Sequence, residues 1–157
     1  MTNFRKKFLR RDIPLRIKND IKAFFGDLVI AKKQAHDILL AAADPDEVEM
    51  AAEALHFGVY DHEEQQFTFH RNLLNQLPPI LRVFVQCGAL RYGDPYEADL
   101  IKIHAGSGKL TLLNYDDFDK DEPILKTRIK INLRNQYVHV FDHQGQNNIL
   151  KDKKRYI

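Results

Sequence analysis

The stretch IKIHAGSGKLTLLNYDDFDKDE, residues 101–122, holds two groups of side chains whose types could do chemistry. The pair Gly108-Lys109 has the look of a phosphate loop, in which backbone N–H groups wrap phosphate at a helix N-terminus. Such a loop needs glycine five residues before Gly108 and Ser or Thr after Lys109, and Ile103 and Leu110 stand there instead. A strand pattern follows, so the pair predicts a glycine-bearing hairpin turn. Asp116, Asp117, Asp119, Asp121 and Glu122 then place five acids within seven positions. Asp117, Asp119 and Asp121 open like a D-x-D-x-D calcium loop, which requires Gly at its sixth position and Glu at its twelfth. Glu122 and Arg128 occupy those positions, which excludes an EF-hand. A looser Mg²⁺ site on these carboxylates, completed by a strand lysine such as Lys130, would suit a small metal-dependent nuclease. The plainer reading is a solvated acidic loop answering nearby basic strands, with no metal and no cofactor.

Other candidates are basic. FRKKFLRR places Arg5, Lys6, Lys7, Arg10 and Arg11 beside Phe4 and Phe8. Lys126, Arg128, Lys130 and Arg134 recur in a second segment. Both could neutralise phosphates, with salt-dependent and sequence-blind contacts. Lys102 and His104 share parity on an expected strand, and Lys109 stands across the turn. Together they predict a polar patch able to meet a backbone phosphate. Seven histidines are scattered at positions 36, 56, 62, 70, 104, 139 and 143 without an H-E-x-x-H pair. His139 and His143 are four apart, but on an expected strand that spacing is not a helical ligand pair. There is no G-x-G-x-x-G and no G-x-S-x-G, so neither a dinucleotide fingerprint nor a nucleophile elbow is visible.

The elements that must position these residues fall into two halves. PLRIKNDIKAFFG reads as a helix stopped by Gly26, and DLVIAKKQAHDILLAAA as a second with Asp27 as N-cap. DPDEVEMAAEAL has Asp44 as cap and Pro45 at the first helical position. HFGVYDHEEQQFTFH, from His56 to His70, reads as an acidic loop or a short hairpin. RNLLNQLPPILRVFVQCGALRYG reads as two helical pieces, the first ending near Leu77 because the residue before proline avoids the helical region. Beyond it the period changes. LIKIH, KLTLLNY, ILKTRIKINL and QYVHVFD alternate, with Ile129, Ile131 and Leu133 to one side and Lys126, Arg128, Lys130 and Arg134 to the other. The expected fold is α+β: an N-terminal helical half, 1–95, packed on a C-terminal antiparallel sheet of about four strands, 96–145, with a loose polar tail, 146–157, in one domain.

Bulk composition fits this. At 157 residues, 44% hydrophobic and 29% charged, the chain can bury one core. The one cysteine, Cys87, lies in an apolar run and reads as a buried small hydrophobe; it excludes an intrachain disulfide framework. No apolar run approaches the roughly 20 residues that span a bilayer, and MTNFRKKFLRR lacks a secretory core, so a cytoplasmic protein with no membrane partner is expected. The net charge of +2 is unevenly placed. Residues 1–33 carry ten Lys or Arg against three Asp, residues 34–70 nine acids and no Lys or Arg, and residues 71–157 fourteen against ten. Separate faces are expected rather than one continuous patch.

From about Leu15 to Ile157 the chain resembles the C-terminal region of the DNA phosphorothioation-associated methyltransferases, proteins encoded beside Dnd-type DNA sulfur-modification systems. The segments that carry the resemblance are DIKAFFG at 20–26, LPPILRVFVQCG at 77–88, LIKIHAGSGKLTLLNYDDFDKD at 100–121 and RIKINLR at 128–134. The ending NNILKDKKRYI is similar to a further family segment, with its prolines replaced. The family's glycine-rich cofactor loop has no counterpart here, and 157 residues leave no room for that domain. The methyltransferase activity is therefore not implied. What the resemblance implies is a setting: a non-catalytic nucleic-acid-binding or accessory module of a bacterial DNA modification or defence system. DNA and other proteins of that system are the implied partners, and a protein-interaction domain is the other non-enzymatic reading. Within the shared motif, Lys102, His104, Lys109, Tyr115, Asp117, Asp119 and Asp121 form the expected functional surface. No catalytic residue is assigned.

Overall fold

The computed structural model describes residues 13–157. Backbone contacts divide the chain into two units, 1–37 and 38–157. The basic group Arg5, Lys6, Lys7, Arg10 and Arg11 lies outside the described residues.

In the first unit, α1 (Leu15–Phe25) ends at Gly26, whose N–H donates to the Lys22 carbonyl and whose φ of 81° turns the chain out of the helix. α2 (Leu28–Ala41) starts as its sequence predicts, with the Asp27 carboxylate accepting from the N–H groups of Val29 and Ile30. Neither helix buries a residue, and Leu15, Phe24 and Val29 are exposed.

The second unit carries the sheet. α3 (Pro45–Glu53) is capped by Asp44, which accepts from Asp46 N–H at 3.0 Å. β1 (Val59–Asp61) and β2 (Gln66–His70) form a hairpin, then a 3₁₀ turn (Arg71–Gln76) leads to α4 (Pro79–Tyr92). β3 (Leu100–His104), β4 (Lys109–Asp116), β5 (Ile124–Asn132) and β6 (Tyr137–Asp142) follow. The six strands lie in the order β1-β2-β3-β4-β5-β6, every neighbour antiparallel. The architecture is α+β, with helices towards the N-terminus, but with six strands rather than about four. The two additional strands come from His56–His70, where β1 is only three residues and shows no alternation to read. Position 65 turns that hairpin with a positive φ of 49° at Gln65, a conformation the sequence does not announce with glycine.

Alternation across the sheet decides everything else. Phe67, Ile103, Leu110 and Ile131 make one row, and Phe69, Ile101, Leu112 and Ile129 the next. All eight are buried and pack with Leu81, Phe84 and Val85 of α4 and Val48 and Ala52 of α3. Gly88 lets α4 approach β4: a Cβ there would sit 2.6 Å from a Leu110 methyl. Cys87, one residue earlier, is half-buried rather than buried, and burial raises its thiol pKa. The tail expected to be loose is tied down. Ile149 bridges Ile124, and Lys153 Nζ donates to the carbonyls of Phe118, Asp119 and Lys120. Among the described residues no helix is long and apolar enough to cross a membrane.

Candidate nucleic-acid interface

The other face of the sheet is mixed, with polar and cationic positions and a buried Leu100–Leu113 pair towards one end. Three rows of paired residues cross it. The first is Thr68–Lys102–Thr111–Lys130–His139, and the second Gln66–His104–Lys109–Asn132–Tyr137. The third is His70–Leu100–Leu113–Arg128–Phe141. Paired residues on antiparallel strands project to the same side, with side chains about 4.5–5.5 Å apart at Cβ. Register therefore gathers Lys102, His104, Lys109, Arg128 and Lys130 from three strands onto one surface. Among the described residues none of these lysines, nor Arg128, forms an ion pair.

The electrostatics follow from that crowding. His104 Nε2 and Thr111 Oγ1 share a hydrogen bond at 2.9 Å. Burial, then the charges of Lys102, Lys130 and Lys109, lower the His104 pKa from 6.5 to about 4. The imidazole is thus neutral at neutral pH. Lys102 is also pushed below the ordinary lysine value, first by burial, with Lys130 and Arg128 adding repulsion and Asp61 and Glu64 opposing it. Those two acids belong to the β1–β2 end, so the face runs from an acidic edge at β1 through a cationic centre at β3–β5. The Arg128 Nε is buried and has no hydrogen-bond partner.

Beyond the cations, β6 presents three rings on the same face. Tyr137 and His139 stack with centroids 4.9 Å apart, and His139 and Phe141 with centroids 6.2 Å apart. The Arg128 guanidinium lies over the Phe141 ring at 4.8 Å and the Lys130 ammonium at 5.9 Å. The pattern ring-x-ring-x-ring at 137, 139 and 141 is legible in YVHVF, but the cations beside it are set by pairing with β5.

The remaining predicted residues lie elsewhere. Lys126 is the extra residue of a bulge, since Asn114 pairs with Thr127 and Tyr115 with Leu125. It lines a separate hollow with Asp116 and His143 instead of continuing the Arg128–Lys130 face. Arg134 has left the strand, which ends at Asn132, and its side chain lies against Gly108. The Tyr115 N–H donates to Asp99 Oδ2 at 2.7 Å, and burial first, then Tyr156 and Asp99, raises its phenol pKa. Asp117 turns the chain at φ 54° and pairs with Lys120. The Asp119 carbonyl accepts from Lys153, and Asp121 is exposed. Phe118, in the middle of the acidic loop, stacks on His70 at 5.1 Å. This loop is a clasp between the sheet and the C-terminal segment.

The nuclease arrangement is not assembled by this register. Lys130 pairs with Thr111, whereas the acidic loop starts at Asp116, which pairs with Ile124. Five residues of strand put them roughly 17 Å apart. Among the described residues no three His, Cys, Asp or Glu side chains converge as a metal site. Comparison of the chain with protein-family models, with curated proteins and with solved structures finds no match.

Proposed function

We propose that this chain is a non-catalytic nucleic-acid-binding module, acting as an accessory to a bacterial DNA modification or defence system of the phosphorothioation type. One observation carries the binding part. Lys102, Lys109, Arg128 and Lys130 share one sheet face, and among the described residues no carboxylate lies within ion-pair distance of them. Clustered like charges repel one another. A polyanion relieves that repulsion, and a nucleic-acid backbone is such a polyanion. The setting is supported by the resemblance of the segments at 20–26, 77–88, 100–121 and 128–134.

The test is fluorescence anisotropy of labelled DNA, with and without phosphorothioate, against salt. The triple variant Lys102→Ala, Lys109→Ala, Lys130→Ala is expected to bind at least about tenfold more weakly at low salt. Its slope of log affinity against log salt should be shallower by roughly 2–3, close to one per lost phosphate contact. A parent that fails to bind at low salt, or a variant that binds like the parent, overturns the proposal. Discrimination of phosphorothioate by the parent that the variant loses would extend it to the modified backbone.

A further inference from the structure

The geometry points to single-stranded nucleic acid as the ligand of this face, with bases stacked on the Tyr137–His139–Phe141 ladder and the backbone on the cations beside it. This rests on the nucleic-acid reading above and specifies it.

On β6 the rings recur every second residue, so they form a column along the strand, about 6.8 Å from one Cβ to the next. Two of the three positions paired with the rings are cationic. Phe141 is paired with Arg128 and His139 with Lys130; Tyr137 is paired with Asn132, which is itself paired with Lys109. Exposed aromatic surface at Tyr137 and His139, side by side with the cations of β4 and β5, is what a single strand carrying both bases and phosphates can use.

A duplex makes poor use of it. In double helices the base faces are stacked on one another, and only edges and phosphates reach a protein surface. A duplex would engage the lysines and leave the rings idle. The outer part of the ladder is accessible: Tyr137 is 60% exposed and His139 is exposed, while Phe141 lies under Arg128. Among the described residues β6 is also the edge of the sheet. Polarity sets the opposite limit. Asp61 is paired with Gln66 and lies on the same face at β1, which repels a phosphate chain and confines its path to β3–β6.

The experiment compares a labelled oligothymidylate of about 16 nucleotides, the same length of oligouridylate, and a duplex of that length. All are titrated with the parent, with Tyr137→Ala/His139→Ala, and with Tyr137→Phe. The single strands are expected to bind at least tenfold more tightly than the duplex. Removing the two rings should cost the single strands about tenfold or more. It should leave duplex binding and the salt slope unchanged, and Tyr137→Phe should bind like the parent. Circular dichroism and the denaturation midpoint confirm that each variant is folded. If the duplex binds as well as the single strands, or the ring variant loses nothing, this inference falls while the nucleic-acid reading stands. If neither form binds, both fall. If the ring variant instead changes the oligomeric state seen by light scattering, the ladder is an interface between copies and the inference is overturned.

Discussion

His104 shows how a residue's neighbours set its chemistry. Burial and three surrounding lysines hold it neutral, with a pKa lowered from 6.5 to about 4. In the unfolded chain it takes up a proton near the ordinary value, so the unfolded state binds more protons between the two. Stability that is intact above pH 6.5 is therefore lost as the pH falls toward about 4. His104→Gln keeps a polar group beside Thr111 and removes the titration. Its urea midpoint is expected to fall less than the parent's across that interval, and identical pH profiles would contradict the assignment. His70 is also lowered, chiefly by burial, so part of the dependence should persist in the variant. The parity shared by Lys102 and His104 was legible in LIKIH, because two-residue alternation is a property of any strand. Their burial, and so the direction of both shifts, was not. It depends on which strands flank β3.

At the scale of elements, α4 and β4 meet at Gly88. An alanine there would gain about 0.5–1 kcal/mol of helix propensity. Its methyl would also meet Leu110, which is fully buried, at 2.6 Å. Overpacking of this kind costs about 1–3 kcal/mol, so the steric effect wins. Gly88→Ala is expected to lower the denaturant midpoint with an unchanged m-value, despite alanine being the better helix former. A midpoint that rises would mean the helix can shift away from the sheet freely. Helix ends were readable at this scale, because Gly26, Asp27, Asp44 and Pro45 act through local backbone geometry. The bulge that takes Lys126 off its face was not readable. From Arg128 onward RIKINL alternates, and the irregularity at Lys126 is defined only relative to β4.

At the scale of the whole molecule, one lysine ties distant parts of the second unit together. Lys153 donates to three carbonyls of the acidic loop and lies 5.5 Å from the Phe118 ring centroid, while Phe118 stacks on His70 of β2. Lys153→Met keeps the stem and removes the donors. It is expected to cost about 1–2 kcal/mol, since the freed carbonyls can be partly rehydrated. Amide exchange should quicken around positions 117–123 and 149–156, with the α3–α4 core unchanged. Uniform exchange in both proteins would show that the clasp adds nothing.

By itself the sequence determined the α+β class, the helix boundaries, the hairpin at Gly108 and the alternation that gives each strand two faces. Those features follow from contacts a few residues apart. Only the tertiary structure decided which cations share a surface. Lys102, Lys109, Arg128 and Lys130 are gathered by inter-strand register, and Lys126 and Arg134 are excluded by a bulge and a turn. It also turned the most chemical-looking stretch, DDFDKDE, into a structural clasp, and brought the unremarked rings of β6 alongside the cations. Register is a relation between strands, so no single strand's pattern contains it.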